Sequence, residues 1–493
     1  MVGLASVDNR DSLIPRLAEA VPSIENGLWR VLPDGRMDMT WKIHPKARWH
    51  DGMPFTSADL AFSLMVAADN DVAIFRNAKH SFIEGFEAPD PQTFTVRWKT
   101  PFIVADKLFV NALNLEAPLP KHLLERPFIE DRGNFRVLPY WSEEFVGTGP
   151  FRLRTFARGS HVLLEANDSY VLGRPRLDEI EVRFIADGNT LVANLLSGTV
   201  EVALGRSLSL DQAIHIRDHW ADGKMEVGPV NWMALYPQFL NPNPPVMLDA
   251  RLRRALYHAI DRLEMVDAIQ GGLGGVAHSI IIPSEPEYRD LERQVIRYDF
   301  DPARSAQIIE ELGYVRGADG GFRDAAGQRL AVDIRASDED ISSKVMFPVA
   351  DYWQRVGVGV TTTVMTAQQR RDRPWRATYP GFEVVSQGHA VGNLPNLRST
   401  EVPTPETDFV GENRSRYASP EFDALLDRYL TAIPKRERAE ALAPIIRHMT
   451  DQLVWMGLFN RVDGVVFAKR VHSIFPRQQG GNQGWNAHEW DVT

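Results

Sequence analysis

Cysteine is absent from the 493 residues. That excludes a Cys-ligated zinc site, a thiol nucleophile, a disulfide framework and a cysteine lipid anchor on this chain. It leaves the compartment open, because large proteins live outside the cytoplasm without disulfides. No run approaches the ~18–20 consecutive apolar residues that span a bilayer. The N-terminus, Met1-Val2-Gly3-Leu4-Ala5-Ser6-Val7-Asp8, lacks a basic segment followed by an apolar one and is not a secretory signal. Either such a signal has been removed, or the chain is cytoplasmic. Excess positive charge is missing as well. The formal net charge is -10 and the pI is near 5.8, which argues against a phosphate-backbone footprint and a nucleic-acid partner.

Catalytic signatures are also lacking: there is no G-x-S-x-G elbow, no Walker loop and no H-E-x-x-H. Gly272 to Ala277 matches G-x-G-x-x-A, but it follows a predicted helix where a dinucleotide site needs a strand. A glycine-rich connection is the better reading. The 13 histidines are scattered. His488-Glu489 and His389 are the candidate metal ligands, no pair sits at i, i+4 on a predicted helix, and neither a metal site nor a cofactor is expected. Nothing assembles a catalytic constellation, although carboxylates paired for hydrolysis would be invisible in sequence.

What is present is globular: 44% hydrophobic and 24% charged residues over a length that suggests two or three domains. Met39–His44 and Thr93–Trp98 alternate as half-buried strands. Thr56-Ser57-Ala58-Asp59 reads as a capping box, with Phe55 and Leu60 placed as a hydrophobic staple, opening a helix to about Val66. Phe151–Leu153, His161–Glu165 and Ile180–Phe184 read as strands. Asn189–Ser197 reads as a helix ended by Gly198. Pro242, Pro244 and Pro245 punctuate the middle. Asp249 caps a helix with Leu252, Ala255, Leu256, Ala259 and Ile260 on one face. Asp301-Pro302 and Ser419-Pro420 start two more, and Leu330–Ile334 and Val358–Val364 are strand-like. Helices and strands interleave from about residue 190, which favours an α/β architecture.

Aromatic residues are plentiful, with 12 Trp, 24 Phe and 11 Tyr. Those in loop-like stretches, Trp232, Tyr236, Trp375, Tyr379 and Phe382, are candidates to line a ligand cleft.

Seven ordered segments resemble the signature stretches of the peptide/nickel solute-binding family (dipeptide- and oligopeptide-binding proteins, solute-binding family 5). Trp49 to Ser63 resembles its "FHDG-x-PFTAEDV-x-FS" block, and Phe145 to Phe151 its "GTGPF". Asn167 to Asp178 resembles "N-x-x-Y-x-G-x-P-x-L-D", and Ser197 to Glu201 sits where the family has "SGE-x-D". Asp249 to Arg262 resembles "D-x-RVRQAL-x-x-AIDR". Tyr298 to Ala303 with Leu312-Gly313-Tyr314 resembles "YDP-x-KA…AGY". Gly411-Glu412-Asn413-Arg414 through Leu426 resembles "N-x-x-x-Y-x-x-P-x-x-D-x-L".

The resemblance implies the two-lobe periplasmic-binding-protein fold (type II, large peptide-binding class), with residues 1–145 as an extra subdomain of lobe I. Residues 146–230 plus 465–493 would form the lobe I core and 231–464 lobe II. It implies a monomeric, non-enzymatic, extracytoplasmic protein that encloses a peptide or similar solute between its lobes by hinge closure. The partner would be the membrane permease of an ATP-binding-cassette importer. The glycines of Gly147-Thr148-Gly149 suit a sharp crossing between domains.

Two departures stand out. The family pattern places a signal and more of lobe I ahead of the region matched by Leu17-Ala18-Glu19-Ala20, so a lobe I strand is expected to be missing. Peptide binders also carry an Asp for the ligand ammonium. The matching stretch here, Gly381 to His389, has none and leaves Glu383 as the substitute. The expected ligand contacts are Trp232, Tyr236, Gln238, Asn241, Trp375, Tyr379, Phe382, Glu383, Gln387, His389 and Asn393. An oligosaccharide, an opine or a chelated metal on the same scaffold, a hydrolase, and a cytoplasmic ligand sensor stay open as alternatives.

Overall fold

The computed structural model describes residues 1–10, 12–69, 82–110, 117–205, 207–282, 288–388, 391–476 and 483–493. The chain divides into two compact units, Met1–Gly228 with Asp463–Thr493, and Pro229–Val462. Both divisions fall inside long strands, Gly223–Pro237 and Met456–Ala468. Each passage is therefore extended backbone. The punctuating prolines come later, around the short 3-10 turn Pro245–Leu248 of the second unit.

In the first unit, the alternating stretches make adjacent strands of a four-stranded sheet. Met37–Lys42 pairs antiparallel with Thr93–Trp98, setting Met37 opposite Trp98 and Trp41 opposite Phe94. Met37, Met39, Trp41, Phe94, Val96 and Trp98 are all buried, as a two-residue period on one covered face requires. The helix Ser57–Ala68 starts at Thr56, whose amide donates to Asp59 Oδ2 at 2.8 Å. A three-stranded meander, Phe151–Ala157, His161–Ala166 and Glu179–Arg183, follows. The helix Gly188–Leu196 buries Leu191 and Leu195 and begins at Asp187, not at Asn189.

Two signature blocks of the sequence lock together in this unit. The His50 amide donates to Gly147 O at 2.8 Å. Its ring accepts the Gly147 amide at Nδ1 (3.1 Å) and donates from Nε2 to Gly149 O (3.0 Å). A Cβ on Gly147 would meet Phe145 at 3.0 Å and the His50 ring at 3.2 Å, so the close approach of the two blocks favours glycine. Gly147-Thr148-Gly149 thus lies inside the first unit, and the passages between units lie elsewhere.

The second unit is built on strands ordered Met456–Ala468, Gly223–Pro237, Phe382–Gln387, Ala331–Ala336 and Gly359–Val364, with Gly275–Val276 added to the first of these. Ala331–Ala336 runs parallel to both of its neighbours, and Phe382–Gln387 runs antiparallel to Gly223–Pro237. The 16-residue helix Asp340–Arg355 links the two parallel strands that precede Phe382. One face of this sheet carries the core: Met233, Leu235, Val332, Ile334, Phe382 and Val384 pack with Val345, Met346, Val349 and Trp353 of that helix. The helical stretch after Asp249 is two helices, Ala250–His258 and Arg262–Gln270, because Asp261 caps a fresh start by accepting the Glu264 amide at 2.9 Å. The G-x-G-x-x-A match follows the second of them as a connection with Gly272 and Gly274 at φ +73° and +87°.

Candidate functional site

The face of the second unit's sheet opposite the core carries a different set of residues. Register places Glu383 between Tyr236 on one neighbouring strand and Arg335 on the other. Laterally paired residues project to the same side. The period of two that sends Phe382 and Val384 into the core therefore sends Glu383, Val385 and Gln387 away from it.

Glu383, 3% exposed, holds two arginines at once. Its Oε2 accepts from Arg335 Nη2 at 2.6 Å and Nε at 3.2 Å, and its Oε1 accepts from Arg414 Nη1 at 3.1 Å. Arg335 commits four of its five N–H donors. It also donates to the carbonyls of Trp375 (3.0 Å) and Arg376, and its guanidinium lies 4.6 Å from the Trp375 ring centroid and 4.2 Å from that of Tyr379. It thereby satisfies carbonyls at the C-terminal end of the short helix Arg373–Ala377. Tyr379 donates to Tyr236 O at 3.2 Å, and the Tyr236 hydroxyl donates to Gln387 Oε1. The Tyr236 ring stacks on Trp455, which meets Trp232 edge-on at 6.1 Å. Burial pushes the Tyr236 and Tyr379 hydroxyls well above their ordinary range, and Glu383 raises Arg414 further.

Of the residues singled out from sequence, Tyr236, Trp375, Tyr379, Glu383 and Gln387 are brought into this one network. Their setting is strand where loops were expected: Trp232 and Tyr236 lie in Gly223–Pro237, and Phe382, Glu383 and Gln387 in Phe382–Gln387. Phe382 is a correction. It is 1% exposed and sits in the core, 4.8 Å from the Trp353 ring, on the face the register assigns to packing. Gln238 is fully buried and braces backbone, donating to Ala377 O at 3.0 Å and accepting the Leu240 amide at 3.1 Å. Trp232 is buried against Trp455 and Gly457, where a Cβ would lie 2.7 Å from its ring. Asn241 is exposed at φ +55°. Asn393, half-buried, donates to Gly388 O at 3.1 Å. His389 lies outside the described residues.

Glu383, expected as the counter-ion for a ligand ammonium, here faces two guanidiniums, to which its oxygens accept three hydrogen bonds. Sequence reasoning missed Arg335, Arg414 and Trp455. The signal for Arg414 was its place in the Gly411–Arg414 segment of a recognised block. Arg335 had none beyond ending a strand. No histidine pair stands at i, i+4 on a predicted helix, but the helix Leu210–His219, which the sequence reading did not include, carries one. The pair is His215 and His219, with rings stacked at 4.2 Å. Among the described residues no group of three or more His, Asp or Glu side chains is placed to hold a metal ion.

Comparison with known proteins agrees with this architecture. The sequence model of the bacterial extracellular solute-binding proteins, family 5 Middle, matches residues 12–399. A protein of Brucella melitensis biotype 1, whose name assigns it to ABC-transporter peptide binding, is 23% identical over 474 residues, covering 94% of this chain and 84% of its own. The oligopeptide-binding protein AppA of Bacillus subtilis is 24% identical over 408 residues, covering 80% of this chain and 68% of its own. Among solved structures, NikA from Brucella suis in complex with Fe(III)-EDTA superposes with a TM-score of 0.77. It is 19% identical and spans 100% of this chain and 94% of its own.

Proposed function

Because the chain belongs to the bacterial extracellular solute-binding proteins of family 5, we propose that it captures a small polar solute outside the cytoplasm and passes it, chemically unaltered, to the membrane permease of an ATP-binding-cassette importer. The match over residues 12–399 carries this reading. The solute is a peptide or a peptide-sized molecule, in keeping with the oligopeptide ligand in the name of the Bacillus relative. Within the second unit, capture uses Tyr236, Gln387, Asn393 and Trp375, where aromatic faces and amides meet neutral polar groups without a formal charge. Glu383 supports these groups from beneath.

The protein acts as a monomer and performs no turnover, since its one buried carboxylate in this network is held in two ion pairs and has no free partner for acid/base work. The test is native mass spectrometry of the protein purified from its own host, followed by transport in proteoliposomes carrying its permease. One solute per chain, released intact and taken up only when protein, permease and ATP are all present, is the expected result. A solute that is cleaved on incubation, or uptake that is indifferent to the protein, would overturn the proposal.

A further inference from the structure

Buried arginines in the second unit generally serve backbone carbonyls. Arg253 donates to Gln452 O and Met247 O, and Arg262 donates to Tyr298 O and Ala277 O. Arg335 adds carbonyls to its carboxylate. Arg414 is different. Its side chain is only 22% exposed, yet its one hydrogen-bond partner among the described residues is Glu383 Oε1. A guanidinium offers five N–H donors, so most of this half-buried fork has no protein acceptor among the described residues.

The groups around it lack acceptors in the same way. Gln387 spends its carbonyl on the Tyr236 hydroxyl, which leaves its NH2 without a partner among the described residues. The indole Nε1 of Trp455, whose ring stacks on Tyr236, is buried with no hydrogen-bond partner in a residue 6% exposed. Arg376 makes no ion pair among the described residues. Burial and then the like charge of Arg414 both pull its pKa below the ordinary value, with Glu383 working the other way. The unpaired polar groups of Arg414, Arg376, Gln387 and Trp455 are thus donors, two of them charged, and the exposed Glu412 is a carboxylate that acts on both arginines.

We infer that Arg414, fixed by Glu383 and joined by the Gln387 amide, receives a carboxylate of the captured solute. The charge count selects the class. Arg335, Arg376 and Arg414 set against Glu383 and the exposed Glu412 sum to one excess positive charge, which a monoanion neutralises and a phosphate dianion overshoots. The planar fork of a guanidinium matches a carboxylate in bidentate fashion, and such charge-assisted bonds are about twice as strong as neutral ones. Glu383 supplies the rigidity. A buried carboxylate pinned by Arg335 on one side holds Arg414 in place on the other, so little side-chain entropy remains to be lost on binding.

This inference rests on the solute-capture reading and adds the chemistry of one contact to it. The test is calorimetric titration of the full chain with three acids, each beside a matched neutral compound: acetyl-trialanine with acetyl-trialaninamide, cellobionate with cellobiose, and glycerol 3-phosphate with glycerol. At least one carboxylate should bind at one per chain, with the neutral counterpart about tenfold weaker or worse. Arg414→Ala should lose a similar factor. That variant leaves Glu383 paired to Arg335 and so should fold, and Arg414→Lys, which keeps the charge but not the fork, should fall between it and wild type.

Equal binding of acid and neutral partner, full affinity in Arg414→Ala, preference for the phosphate, or no binding of either carboxylate would each overturn the inference. The capture reading is judged separately by the solute that the native protein carries. A neutral solute at one per chain would leave capture standing and remove the carboxylate.

Discussion

The Tyr236 and Trp455 rings stack with their centroids 4.7 Å apart and their planes 2° from parallel. Tyr236 closes one long strand of the second unit and Trp455 precedes the other, so the stack ties together the two strands through which the chain enters and leaves that unit. Trp455→Ala removes a large buried ring from between Tyr236 and Trp232 and should destabilise the second unit by about 3–5 kcal/mol. Tyr236→Phe keeps the stack and loses only the bond to Gln387, at a cost of about 1 kcal/mol. Urea unfolding followed by tryptophan fluorescence separates the two. Similar costs for both variants would contradict the packing account.

The Glu383 carboxylate should matter to stability far more than any surface ion pair of this chain. Glu383→Gln leaves Arg335 and Arg414 facing one neutral amide, and breaking a buried pair in this way costs about 3–5 kcal/mol. Adding Arg414→Met to Glu383→Gln removes one of the stranded charges and should recover part of that loss. A double-mutant cycle in urea measures the coupling. If the single and double variants are equally unstable, the two side chains do not act as a unit.

Much of this architecture was legible from the residues. Thr56 with Asp59, Asp301 with Pro302, and Ser419 with Pro420 announce helix starts through local chemistry, and each of these helices is found where expected. The alternation read over Met39–His44, two residues beyond the observed strand Met37–Lys42, and over Thr93–Trp98 was visible because one face of their sheet is covered and the other is more exposed. The second unit's sheet gave no such clue. Both faces of Trp232–Tyr236 and of Phe382–Val385 are buried, so polarity does not alternate and the stretches resembled aromatic loops. The same cause misplaced Phe382: without the register against Ala331–Ala336, nothing says which residues share a face. Arg335 and Glu383 are 48 positions apart in sequence and adjacent only through parallel pairing.

That register yields a contrast between two residues of one strand. Phe382→Ala should lower the melting temperature through a loss of about 3–5 kcal/mol, as for other buried aromatics, and leave solute affinity of the folded protein unchanged. Gln387→Ala, on the opposite face and half-buried, should leave the melting temperature of the unliganded protein nearly unchanged and weaken solute binding. Calorimetric titration and thermal unfolding on both variants decide the matter. An affinity loss in Phe382→Ala with an unaltered melting temperature would return that residue to the ligand surface.

The last expectation concerns acid. His50 binds the Gly147 amide at Nδ1 and Gly149 O through Nε2, an arrangement that needs the neutral ring, since Nδ1 must accept. Burial lowers its pKa from 6.5 to about 4, with the Gly149 carbonyl working the other way. The folded state therefore takes up a proton less readily than the unfolded chain. Between about pH 6.5 and 4 the unfolded state binds more protons, so stability falls as the pH falls through that window and is fully present above it. At 1.36 kcal/mol per pKa unit the effect reaches on the order of 3 kcal/mol at its limit.

His50→Gln offers an amide donor and acceptor in place of the ring atoms and carries no titrating proton. Unfolding free energies measured from pH 7.5 to 4 should therefore decline less steeply for the variant than for the wild-type chain, whatever its absolute stability. Parallel slopes would show that other groups drive the acid response and that the His50 link between the two signature blocks does not titrate with folding.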